Sequence, residues 1–127
     1  MGMIQSSRIL ELARALNPKE ALIDAVDVSE IETFGENLLV ATYIRPEKTK
    51  GGVYRPESNV KEDEFQGNVG LVVQVGTALK EEESDWLHHW VIFGYNDGLK
   101  WRYNDVPVRY ISIERIRGTV EDPSRVI

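Results

Sequence analysis

Two kinds of hydrophobic spacing divide the chain. Near the N-terminus the apolar residues Ile9, Leu12 and Leu16 recur at helical spacing, and the pattern stops at Asn17-Pro18. The tetrapeptide 17–20 then supplies a capping residue, a first-turn proline and an acidic residue, which predicts a second short helix. We therefore expect a helical arm within residues 1–37. It either covers one end of the folded body or reaches a neighbouring subunit, and the sequence leaves both alternatives open.

From Leu38 onward the spacing becomes that of β-strands. The apolar run 38–44 predicts a first strand that ends at Arg45-Pro46, and the alternation from Val69 to Val75 predicts a strand with one face on the core. Short strands separated by closely spaced turns predict a small barrel or sandwich. The later strand segments are 90–93, 99–103, 106–110 and 111–116, with turn signals at Asp97-Gly98 and Asn104-Asp105.

A polar segment of about twenty residues separates the first two strands. It runs from Glu47 to Gln66 and contains Gly51-Gly52 and the charged run 61–64. A connection of this length without a hydrophobic period is unusual in a compact domain, so we expect it to be either functional or mobile. We interpret both its charged run and a second acidic stretch, the loop 81–85, as solvated surface.

Composition and charge narrow the function classes. The 127 residues are enough for one domain, and the formal net charge of −6 argues against nucleic acid as a partner. A local cluster of Arg109, Arg115 and Arg117 is interpreted as a solvated face. No apolar run approaches the eighteen or so residues of a membrane span, so we expect no membrane partner.

Few residues could assemble a catalytic or metal site. Cysteine is absent, and the only histidines are His88 and His89, whose side chains would point to opposite faces of a strand. No acidic residue stands at a spacing typical of a zinc site. We therefore expect no enzyme activity, no catalytic residue, no cofactor and no metal.

Aromatic residues alternate with cations in one predicted strand. Trp101 and Tyr103 share one face, while Lys100 and Arg102 share the other. A sugar-binding or base-stacking platform is one interpretation of the aromatic residues. We favour packing in the core of the barrel or at a contact between subunits.

Several stretches occur in a characteristic order along the chain. They are the strand Leu38-Leu39-Val40, the loop Glu47-Lys48-Thr49-Lys50-Gly51-Gly52-Val53-Tyr54, the glycine-bounded strand 66–76, the strand 88–93 and the closing segment 108–118. This order resembles the GroES-like co-chaperonin family over residues 38–118. The resemblance implies a barrel that assembles in rings and binds a chaperonin double ring through the apolar tripeptide after the two glycines.

Three features depart from the pattern of that family. The tripeptide is Val53-Tyr54-Arg55, whose third position is usually aliphatic in the family, and an unpaired charge is costly to bury. The segment 77–87 is shorter than the family's roof hairpin and lacks its turn glycines. The extension of about 37 residues before the first strand is the third departure.

These features together predict a mainly β protein with a GroES-like small β-barrel and a short N-terminal helical arm. We assign residues 1–37 to the arm, 38–118 to the barrel with its loop at 47–66, and 119–127 to a tail. Because of the departures, we expect a phage virion protein that decorates or cements the capsid by binding coat protein subunits. The alternative is a cytoplasmic co-chaperonin that caps a chaperonin ring. Either would be a homo-oligomer, and the expected contact residues are Gly51, Gly52, Val53, Tyr54, Arg55, Ile9, Leu12 and Leu16.

Overall fold

The fold is built on one antiparallel sheet. A computed structural model describes residues 11–13, 15–45 and 67–126 of the chain. In this part the strands follow the spatial order β4-β5-β1-β2-β3-β6, and every neighbouring pair is antiparallel. The strands are β1 Asn37–Thr42, β2 Val69–Val75, β3 Trp90–Ile92, β4 Leu99–Tyr103, β5 Val106–Ser112 and β6 Gly118–Val120. The prediction of a mainly β fold is confirmed.

The central strands are buried on both faces. Leu39 and Leu71 belong to one hydrophobic cluster, whereas Val40 and Val72 belong to a second cluster. The prediction that Val69–Val75 has one face on the core is wrong, because the side chains of its two faces pack into two different apolar clusters. A strand buried on both faces needs no polar alternation.

The segment before β1 packs against the sheet. Helix α1, Pro18–Ala25, begins with Asn17, whose side chain accepts a hydrogen bond from the Glu20 amide, as the sequence predicts. Leu22 is 2% exposed and joins the first core cluster. This packing agrees with the interpretation in which the segment covers the folded body.

A polar clamp also fastens this segment to β2. The Gln74 side-chain amide donates to the carbonyl oxygens of Ile31 at 2.6 Å and Val28 at 3.3 Å. Its Oε1 accepts a hydrogen bond from the Thr33 hydroxyl at 2.8 Å. The one polar side chain of β2 therefore has three partners in the chain that precedes β1, which explains why a glutamine interrupts an apolar strand.

The hairpin between β4 and β5 is confirmed. Its two turn residues, Asn104 and Asp105, have φ values of 49° and 64°. Positive φ at both central positions is the requirement of the tight turn whose twist matches two antiparallel strands, and Asn and Asp tolerate it. The strand register, with Tyr103 opposite Val106, follows from that two-residue turn.

Two segments differ from the sequence-based expectation. The acidic loop 81–85 is helical: a 3-10 helix, Thr77–Glu82, leads into the short helix α2, Glu83–Trp86. No glycine or proline stands between residues 77 and 87, so nothing interrupts the helical turns. The periodic segment 111–116 is not one strand, because the Ser112 side chain caps a 3-10 helix at Ile113–Arg115.

Candidate functional site

The candidate site is the region where the long segment 46–66 joins the sheet. Its two flanking strands, β1 and β2, are direct antiparallel neighbours, with Thr42 opposite Gly70. The pairing continues one step further, because the Tyr43 amide donates to the Val69 carbonyl oxygen at 3.0 Å. The two ends of the segment therefore lie side by side, at the end of β1 and the beginning of β2.

A buried arginine fixes the second of these ends. Arg109 on β5 is 0% exposed, and its Nη2 donates to the carbonyl oxygen of Gly67 at 3.2 Å. Its Nη1 donates to the carbonyl oxygens of Tyr95 at 3.0 Å and Asp97 at 3.1 Å. The guanidinium carbon lies 4.6 Å from the centre of the Phe93 ring. The Arg109 side chain therefore links Gly67, the residue after the segment 46–66, to the turn that follows β3.

The electrostatics of Arg109 are those of a charge solvated by the backbone. Burial lowers its pKa to about 10, and the charge of Asp97 opposes that shift. Within the described residues its Nε has no hydrogen-bond partner. Arg109 remains protonated at neutral pH, and the carbonyl dipoles that it orders take the place of lost water.

Close backbone approach explains a glycine beside the candidate site. A Cβ on Gly70 would lie 2.7 Å from the carbonyl oxygen of Ala41 and closer still to a methyl group of Val40. Only glycine lets β1 and β2 approach in this register. The close pairing of β1 and β2 at the loop base therefore requires glycine at position 70.

The structure separates the predicted contact residues. Leu12 is buried in the first core cluster, whereas Leu16 is fully exposed beyond the helical turn at 11–13, so one apolar stripe does not join them. The other predicted contacts lie outside the described residues: Ile9, Gly51, Gly52, Val53, Tyr54 and Arg55.

Arg109 is the residue at the loop base whose predicted environment differs from the structure. Its placement on a solvated face is wrong, because the side chain is buried against Phe93 and the turn that follows β3. Arg115 and Arg117 are exposed, as predicted. The available signal was a single charge within the apolar run Val106–Ile111.

The histidines do not stand on opposite faces of one strand. His88 lies in a turn with φ of 64°, and His89 precedes β3; both are exposed. Across the described ranges, no three His, Asp or Glu side chains are grouped as metal ligands. The same ranges contain no helix with the length and apolar character of a membrane span.

The aromatic residues of β4 pack at the margin of the core. Trp101 stacks on Tyr110 with ring centres 5.4 Å apart, and Tyr103 meets the same indole edge-on at 6.2 Å. Both β4 aromatic residues are half-buried. This arrangement agrees with core packing rather than with an open platform.

Comparison with protein-family models identifies the family of the chain. The model described as "Chaperonin 10 Kd subunit" matches residues 30–112, about two thirds of the chain. The chain belongs to the chaperonin 10 kDa subunit family. A search of curated proteins returned no match.

The family match coincides with the structural unit around the loop base. It contains β1 to β5 and ends at Ser112, the last residue of β5, so both Arg109 and the two strands that flank the segment 46–66 fall inside it. Helix α1 and strand β6 fall outside. The resemblance to GroES-like co-chaperonins is thereby confirmed, and the match favours the co-chaperonin alternative over the capsid protein that we expected.

Proposed function

We propose that the protein is a co-chaperonin subunit that binds a chaperonin ring. The observation that carries the proposal is the chaperonin 10 kDa family match, which includes the loop base and the loop itself. A cytoplasmic location accords with this role. Within the described residues, no feature favours capsid subunits as partners.

The loop base supports binding through the segment 46–66. Both ends of the segment emerge side by side, and Arg109 fixes the end at Gly67 through a buried hydrogen bond. A fixed base presents the segment at a defined place on the folded body, which accords with a binding role. We assign the chaperonin contact to Val53 and Tyr54, preceded by Gly51-Gly52.

Assembly with further copies of the chain completes the proposal. In the described part of the chain, β4 and β6 form the two edges of the sheet. An edge strand offers backbone donors and acceptors to a strand of another copy. A head-to-tail contact that repeats around an axis would close into a ring, which accords with the family.

Paired substitutions within the segment test the proposed contact. We expect Val53→Asp to abolish nucleotide-dependent binding to the chaperonin ring. A carboxylate cannot enter an apolar groove without a large desolvation penalty. Val60→Asp introduces the same charge in the same segment and should leave the affinity within about twofold of wild type. Equal losses in both variants would contradict the assignment to Val53.

The charge of Arg55 makes a second, opposite prediction. Arg55→Leu restores the aliphatic side chain typical of the family at this position, so chaperonin affinity should rise about tenfold, as about 1.4 kcal/mol implies. The measurement is titration of the chaperonin in saturating ATP by isothermal calorimetry. Weaker binding by Arg55→Leu would show that the arginine itself contacts the chaperonin.

A further inference from the structure

A basic pocket lies beside β4 and β5. It has a volume of about 190 Å³ and lies between the ends of β1, β4 and β5. Three cationic side chains line it: Lys100 and Arg102 from β4 and Arg109 from β5. The first two share a face because they are two residues apart on one strand.

The sheet register concentrates positive charge in this pocket. Lys100 is directly opposite Arg109, and Arg102 is directly opposite Pro107. Like charges directly opposite one another destabilise a sheet, yet this pair stands in a chain whose formal net charge is −6. The proximity has an electrostatic effect: burial and the charge of Arg109 together lower the pKa of Lys100.

Arg109 contributes a buried positive charge beside the pocket. Its terminal nitrogens donate to neutral backbone oxygens, and its Nε has no partner among the described residues. Lys100 and Arg102 are both exposed, so a group from solution can reach them, although each already has an interaction within the chain. A ligand there would add to those interactions or replace them.

We propose that this pocket binds a carboxylate side chain of an acidic protein segment. Arg102 supplies a planar pair of donors that matches a carboxylate, and Lys100 supplies a second cation across the pocket. Arg109 is a positioning residue, since it acts through its buried charge. Thr42 also lines the pocket and is four residues before the segment 46–66 in the sequence. The proposal can fail independently of the co-chaperonin role, because its test uses a peptide and no chaperonin.

A peptide titration followed by NMR tests the site. The probe is N-acetyl-Glu-Asp-Glu-amide at low ionic strength, and the readout is the backbone amide shifts of β4 and β5 in the full chain. Saturable shifts should appear with this peptide and be absent with N-acetyl-Gln-Asn-Gln-amide. The double variant Lys100→Gln/Arg102→Gln should bind at least about tenfold more weakly, because it loses two charge-assisted hydrogen bonds.

A charge-matched variant separates the pocket from the overall charge. Arg115→Gln/Arg117→Gln removes two positive charges from exposed positions that do not line the pocket, and it should bind within about twofold of wild type. The dispersion of the amide spectrum verifies that each variant is folded. Equal weakening in both variants, or no saturable shift in wild type, would overturn the proposal. Inorganic phosphate that binds as tightly as the peptide would overturn the carboxylate assignment and indicate a general anion site.

Discussion

Replacing Arg109 by methionine tests whether this side chain holds the loop base in place. The substitution keeps a long, flexible side chain in the interior but removes the donors to three carbonyl oxygens and the contact with Phe93. We expect the variant to fold and to be less stable than wild type. The loss should be greatest around Gly67, where the hydrogen bond is buried.

Opposing contributions set the size of the effect. A buried carbonyl oxygen without a donor costs about 1–3 kcal/mol, the two part-buried ones cost less because water reaches them, and the lost ring contact adds about 1 kcal/mol. Against this, the variant no longer desolvates a charge. The fall of the Arg109 pKa from 12.5 to about 10 sets that gain at about 3 kcal/mol. The net expectation is a loss of about 2 kcal/mol.

Urea unfolding of wild type and Arg109→Met at neutral pH measures this difference. The control is Arg117→Met, an exposed arginine whose replacement should change the free energy of unfolding by no more than about 0.5 kcal/mol. Because the folded-state pKa of Arg109 lies below its ordinary value of 12.5, wild type gains stability as pH rises from about 10 toward 12.5, and the deficit of the variant should widen there. A variant as stable as wild type at neutral pH would refute the reasoning.

Three further substitutions test other parts of the account. Gly70→Ala should lower stability by about 1–3 kcal/mol in urea unfolding, since its methyl group would collide with the Ala41 carbonyl, whereas Gly118→Ala, with open space around it, should have no such effect. Gln74→Met should increase hydrogen exchange in the segment before β1, because three hydrogen bonds are lost; unchanged exchange would contradict the clamp. Hydrogen bonds with Ser29 lower the pKa of Asp27, so the melting-temperature difference between wild type and Asp27→Ala should be present above pH 3.8 and disappear as pH falls through that lowered value; a constant difference would argue against it.

Local patterns predicted the strands well where local chemistry decides them. The pair Asn104-Asp105 specifies a tight turn by its tolerance of positive φ, and the alternation on either side then fixes which residues face together. Asn17 likewise predicts the start of α1, because a cap acts within one helical turn. Such features depend on neighbours that are close in sequence.

Contacts between residues that are distant in the sequence were not predicted. Arg109 is buried against Phe93 and the turn after β3, and its hydrogen-bond partners stand 12, 14 and 42 residues away in sequence. The role of Gln74 depends on a segment more than forty residues earlier. Neither position has a local signal beyond a polar residue inside an apolar strand. A polar residue inside an apolar strand indicates a hydrogen-bonded contact elsewhere in the chain, because a polar side chain buried in a sheet requires partners.

The function was also predicted only in part from the sequence. Gly51-Gly52-Val53-Tyr54 and the strand order carry the resemblance, and the family match over residues 30–112 agrees with them. The departures at Arg55 and at 77–87 led us toward a capsid role. In the structure the second departure is a helical replacement in one connection, which leaves the sheet around the loop base intact.

Co-sedimentation of the full chain with the chaperonin double ring, in the presence and absence of ATP, tests the central claim most directly. The account predicts that the chain sediments with the chaperonin when ATP is present and stays in the supernatant without it. Absence of the chain from the chaperonin pellet under both conditions would contradict the proposed co-chaperonin function.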